Sequence, residues 1–250
     1  MAAPTPETST EPALQVIAMH GWAGTAASWD PWLPAARARG WHWSSGERGY
    51  GAAPPFMPSW QPQGLRVLIA HSLGVHLLPP ELLPAAERVV LLAGFGCFVP
   101  PGRPGRSLRT ALVAMDAALA DIPDDPTASA LRAQALLRDF LVQAASPDPV
   151  SLMPSGPADQ PLPAPARQLL RRDLALLAAS TDLPAGFPEA VPVLLVEAGD
   201  DRIVAPAARD LLAERLPGAE RIILAGAGHA FLSTSPQAAV LEWLERTLAP

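Results

Sequence analysis

The chain has 250 residues, a length that suits one compact domain with room for an inserted lobe. Apolar residues make up 49% and charged residues 17%, enough for a sizeable core and too little charge for wholesale disorder. All 18 basic residues are arginine, and lysine and asparagine are absent, which excludes Schiff-base chemistry, a phosphate-loop lysine and N-glycosylation.

A net charge of −6 argues against nucleic acid as the main partner. Cys97 is the single cysteine, so disulfides and cysteine-built zinc sites are excluded and a reducing compartment fits. The start, MAAPTPETSTEPALQ, has neither a basic segment nor an apolar run. No apolar run reaches the roughly 18 residues of a membrane span. A cytoplasmic protein without membrane contact is the expectation.

Residues 1–14 are polar and Pro-rich and read as a disordered tail. Gln15 to Met19 is apolar and reads as a buried strand that ends at His20-Gly21-Trp22. Thr25 to Arg39 reads as a helix with Trp29, Trp32 and Leu33 on its apolar stripe, Pro31 falling in its first turns. Trp41 to Ser44 is a short strand, closed by the turn-like stretch Gly46 to Gly51. The Pro-rich segment Gly51 to Gly64 leaves little room for a helix before the next strand, Arg66 to Ala70. A brief helix follows, stopped by Pro79 and Pro80, and then the strand Arg88 to Ala93.

Three helical patterns come next with no strand between them: Ser107 to Ala120, Ala128 to Ala145 and Ala166 to Ser180. A Pro/Gly/Ser-rich linker, Ser146 to Pro165, separates the last two. Strand and helix alternate again through Val193–Val196, Pro206–Arg215, Arg221–Leu224 and Ser235–Leu248. Short apolar strands separated by helices imply an α/β fold with a mostly parallel sheet of about six strands. The expected division is a core of 15–96 and 189–250 with a helical cap inserted at 97–188.

Ligands of such sheets gather beyond the carboxyl ends of the strands. Ser72 lies just past one such end, in Ala70-His71-Ser72-Leu73-Gly74, close to the G-x-S-x-G pattern of a nucleophile on a sharp strand-to-helix turn. Asp200 and Asp201 follow PVLLVEAG, and His229 follows RIILA within Gly226-Ala227-Gly228-His229. A serine hydroxyl needs an adjacent imidazole to take its proton and a carboxylate to hold that imidazole in the useful tautomer. Serine, acid and histidine therefore stand in the order of the nucleophile-elbow hydrolases. His20-Gly21-Trp22 ends an early strand, where such enzymes place an oxyanion donor; the backbone N–H groups of Trp22 and Leu73 are the candidates.

The stretches VIAMHGW, RGYG, LIAHSLG, GDDRIVAP and GAGH resemble those of α/β-hydrolase-fold serine hydrolases from about residue 16 onward. Within that group the chain is most similar to pimeloyl-[acyl-carrier protein] methyl ester esterases of biotin synthesis. The resemblance implies an esterase with Ser72, Asp201 and His229 as triad, Asp201 preferred to Asp200 because it directly precedes Arg202-Ile203-Val204. It calls for no metal or organic cofactor. His20, His71 and Trp22 are expected to line the substrate pocket, His20 shaping the oxyanion loop. Arg103, Arg106, Arg109, Arg138, Arg167, Arg171 and Arg172 lie on the expected cap, where an acyl-carrier protein and its phosphate could be held by arginine forks. A general esterase, a thioesterase, a C–C hydrolase, or a non-catalytic binding module of the same fold are the alternatives.

Overall fold

The computed structural model describes residues 14–248. Six strands form one wholly parallel sheet: β1 (Gln15–Met19), β2 (His42–Gly46), β3 (Arg66–His71), β4 (Arg88–Leu92), β5 (Val193–Ala198) and β6 (Glu220–Leu224). Their spatial order is β2-β1-β3-β4-β5-β6. The chain therefore runs outward from β1 to β2, crosses back over β1, and then builds steadily in the other direction. The reversal falls between β1 and β3, where the carboxyl ends of adjacent strands open a crevice for a ligand.

Side chains alternate between the two faces, and in the four inner strands β1, β3, β4 and β5 both faces are buried, which is why those strands read as apolar runs, whereas the edge strands β2 and β6 are partly exposed. Val16, Ala18, Val67, Ile69, Leu194 and Val196 pack with Trp29, Trp32, Val240 and Trp243 on one face. Ile17, Met19, Leu68, Leu91 and Leu195 pack on the other. The helices are α1 (Leu33–Ala38), α2 (Gly74–Leu77), α3 (Arg106–Leu119), α4 (Pro126–Ala145), α5 (Ala164–Ala179), α6 (Pro206–Arg215) and α7 (Gln237–Leu248). Between β4 and β5 lie α3, α4 and α5, whose Leu112, Leu137, Leu170 and Leu174 join the second face's core. No helix among the described residues is long and apolar enough to cross a membrane.

One expectation changes, and another falls almost wholly outside the described residues. The helix read over 25–39 is a 3-10 helix, Ala26–Trp32, followed by the single short α1. Pro31 and Pro34 each lack the N–H that a continuous α-helix would use, so the first half tightens instead. The tail read over 1–14 lies outside the described residues except for Leu14, which is buried. The connection from β2 to β3 contains no helix. It is held by Gln15, whose side chain accepts from the Gln61 amide at 2.7 Å and donates to the Gln63 carbonyl. Trp60 adds an indole hydrogen bond of 2.9 Å to the Leu82 carbonyl.

Candidate active site

Ser72 follows β3 directly and adopts φ 55°. A left-handed backbone is unfavourable for a residue with a Cβ and marks a strained turn. Its amide donates to the Leu92 carbonyl at 2.8 Å, which anchors the turn to β4. Gly74, two residues on, lies so close to the Met19 carbonyl that any Cβ would collide with it. The second glycine-dependent approach is Gly21: a Cβ there would stand 2.8 Å from Ser72 Cβ. The loop after β1 is thus pressed against the serine. Neither the Trp22 nor the Leu73 backbone N–H has an acceptor among the described residues.

His229 comes from the loop after β6 and Asp201 from the loop after β5. His229 Nδ1–H donates to Asp201 Oδ2 at 2.9 Å, and both side chains are almost wholly buried. The other carboxylate oxygen accepts from the amides of Ile203 and Val204 at 2.7 and 2.9 Å. Burial pushes the Asp201 pKa up, but the His229 charge and hydrogen bond, with the two amides, outweigh it and hold the acid below its usual range. This bond fixes the proton on Nδ1 and leaves Nε2 free to accept one. Asp200, by contrast, is exposed, and no side-chain hydrogen bond reaches it among the described residues.

His71 occupies the position before the serine and is tied to the histidine loop. Its Nε2–H donates to the His229 carbonyl at 2.9 Å, with ring centroids 4.9 Å apart. Burial, and next the charge of His229, push its pKa down to about 3, so it stays neutral. From the opposite side Ala230 N–H donates to the Ala144 carbonyl at the end of α4, at 3.0 Å. Gly228 lies hard against the Ser146 carbonyl, with no space for a Cβ. Asp148 accepts from the Ser233 amide at 3.1 Å and from its hydroxyl.

Ser72, His229, His71 and His20 line one cavity of about 340 Å³ together with Trp22, Trp29, Phe140, Met153 and Phe231. Of the five non-glycine residues with positive φ among those described, Ala23, Ser72 and Phe231 all line it, so backbone strain concentrates at this place. Trp22 sends its indole N–H to the Leu170 carbonyl on α5 at 2.9 Å and sets its ring edge-on to Phe140.

Behind the loop after β1 lies an ionic cluster that sequence reading did not assemble. His20 Nδ1–H donates to the Gly21 carbonyl and its Nε2 accepts the Arg48 amide. Arg48 forks onto Asp173 of α5 at 2.6 and 2.7 Å, and the Tyr50 hydroxyl donates to the same carboxylate at 2.8 Å. Glu47 accepts from the Ala26 and Gly49 amides. Burial pushes its pKa up, yet the His20 ring and those amides prevail and hold it at about 2. The signal available beforehand was Asp173 itself, a carboxylate set among leucines in LLRRDLALL.

The arginines divide. Arg167 is buried, bonded to the Leu162 carbonyl and to Asp121, so it offers no surface to a partner. Arg171 is forked onto Asp116, and Arg138 reaches the Ala158 carbonyl. Arg172 is exposed beside Asp173. Arg103, Arg106 and Arg109 gather near the start of α3, where no ion pair engages them among the described residues. Cys97 is half-buried, its thiol directed to the Val99 carbonyl.

No family model and no curated protein matches the sequence. Solved structures match along nearly the whole chain. An esterase from Exiguobacterium antarcticum superposes with a TM-score of 0.70 at 14% identity, over 93% of this chain and 92% of that one. A bromoperoxidase from Bacillus anthracis gives 0.62 at 17% identity, over 93% and 92%. MenH from S. aureus gives 0.62 at 12% identity, over 98% of each. The chain has the α/β-hydrolase fold. Within that fold, Ser72, Asp201 and His229 sit after β3, β5 and β6, at one end of the sheet.

Proposed function

We propose that this α/β-hydrolase-fold chain is a serine ester hydrolase. The observation that carries the reading is a single cavity holding a strained serine and a histidine bonded to a buried aspartate, with the unengaged backbone N–H groups of Trp22 and Leu73 on either side of that turn. Ser72 Oγ attacks the ester carbonyl while His229 Nε2 takes its proton. Asp201 keeps the imidazole in the Nδ1–H tautomer and balances the cation that forms. The Trp22 and Leu73 amides receive the developing oxyanion, where one lost donor typically lowers the rate about 10²–10³-fold. His229 then protonates the leaving alcohol, and water cleaves the acyl-enzyme by the same route.

Ser72 Oγ has no hydrogen-bond partner among the described residues, as catalytic contacts in an unliganded site commonly close only around substrate. The test is hydrolysis of a short p-nitrophenyl ester together with labelling by a fluorophosphonate probe. Ser72→Ala should abolish labelling and cut turnover by about 10³-fold or more. Full activity in that variant would overturn the reading, and a wild-type protein that neither labels nor hydrolyses would point to a binding module.

The substrate we propose is a pimeloyl-[acyl-carrier protein] methyl ester, on the motif resemblance and on a cavity wall that suits a polymethylene chain. Carrier contact would fall to Arg103, Arg106 and Arg109, the arginines near the start of α3. The gene should restore biotin-independent growth to a strain lacking its own methyl esterase. Failure with good expression would leave a general esterase.

A further inference from the structure

We infer that the portion of the substrate enclosed by this cavity carries no charge, and that the enzyme rejects esters bearing a carboxylate near the scissile bond. The inference rests on the ester-hydrolase reading and adds the chemical class of the acyl group. No aspartate, glutamate or arginine lines the cavity, and the chain has no lysine. Trp22, Trp29, Trp32, Phe140, Leu141 and Met153 provide much of the wall.

Ser28, Ser235 and the unpartnered indole N–H of Trp29 line the cavity as neutral donors, so histidine is the only side chain there that could bring a balancing positive charge, and each of the three is committed. His229 faces Asp201. His71 is neutral and spends its Nε2–H on the His229 carbonyl. Both ring nitrogens of His20 are used, and the Glu47 carboxylate stands 3.7 Å from its Nε2 and would repel an anion approaching that ring. The two unengaged amides next to Ser72 serve the reacting oxygen and are not available to a distant carboxylate. Finally, Ala144 in the last turn of the 20-residue helix α4 lines the cavity, which puts the negative end of that helix dipole beside it and adds nothing favourable to an anion. A buried carboxylate without a balancing charge is strongly disfavoured, whereas methylene groups gain from the same wall.

The experiment compares dimethyl succinate with monomethyl succinate at pH 7.5. Wild-type protein should turn over the dimethyl ester with kcat/KM at least about 100-fold above that of the monomethyl ester. Met153→Arg, which places a cation in the wall, should narrow that ratio at least about tenfold. Leu152→Arg is the companion variant, because Leu152 lines the cavity yet is 54% exposed and can carry a charge without disturbing the core. Equal rates on the two esters in the wild type, or ratios unmoved in both folded variants, would overturn the inference. Failure of the ester-hydrolase reading looks different: dimethyl succinate would be hydrolysed equally well by Ser72→Ala.

Discussion

Two cavities of similar size, about 340 and 380 Å³, share the loop after β1, and their chemistry is opposite. The first holds Ser72 and His229 within a largely apolar wall that lacks carboxylates and arginines. The second is lined by Glu47, Tyr50 and Asp159 among prolines, and beside it Arg48 and Asp173 are locked together. Charge is therefore used in this molecule to fix the loop that carries the Trp22 amide, and is kept off the cavity wall around Ser72. Ionic groups give directional anchoring at a cost in desolvation, which suits the anchor of a loop better than an apolar cavity wall.

Separating the two cavities experimentally starts with the largest effect. Arg48→Met leaves the Asp173 carboxylate buried with its fork removed, and should cost about 3 kcal/mol of stability in denaturant titration. Gly228→Ala acts on the side of the proposed triad: the new methyl group must displace the Ser146 carbonyl and with it the histidine loop. Its kcat should drop about 10²-fold while the unfolding midpoint moves far less than for Arg48→Met. Equal stability losses in the two variants would contradict the division of labour.

His71→Leu should lower kcat about tenfold with KM nearly constant, and His71→Gln, which keeps an N–H donor, should recover most of it. The same position has a pH signature. Unfolded chain protonates His71 near 6.5, whereas the folded protein does so only near 3. Between these values the unfolded state binds more protons, so this contribution to stability is complete above about pH 6.5 and declines as pH falls. His71→Gln should flatten that part of the stability curve, while Glu47, held at about 2, maintains the slope below about pH 4.5. The smallest effect is expected for Asp148→Ala, a partly exposed link to Ser233, at about threefold in kcat.

The sheet was legible because both of its faces are buried: RVLIA and PVLLVEAG can hardly be anything but interior strands. Ser72 and Asp201 stand out for a related reason, since each comes within three residues of the end of a buried strand, whereas His229 lies five residues past the half-exposed edge strand β6 and stands out only by its Gly-rich loop. The 3-10 segment at Ala26–Trp32 was missed because apolar spacing alone does not separate it from an α-helix when prolines sit inside. Nor could sequence show that Trp29 and Trp32, which read as core, also line the cavity, or that His71 reaches the His229 carbonyl across 158 positions. The network of Glu47, Arg48, Tyr50 and Asp173 joins segments more than 120 residues apart, and only the folded chain brings them together.

The helix-free crossing from β2 to β3 has a consequence for the unfolded chain. Residues 51–65 bury little and make few backbone hydrogen bonds, so contacts alone give a weak account of why they hold one path. Pro54, Pro55, Pro58 and Pro62 supply another: each removes conformations from the denatured ensemble and so reduces the entropy lost when this stretch orders. A high proline content, unhelpful to a helix, here lets a short strap do the spatial work that a helix performs in a longer connection.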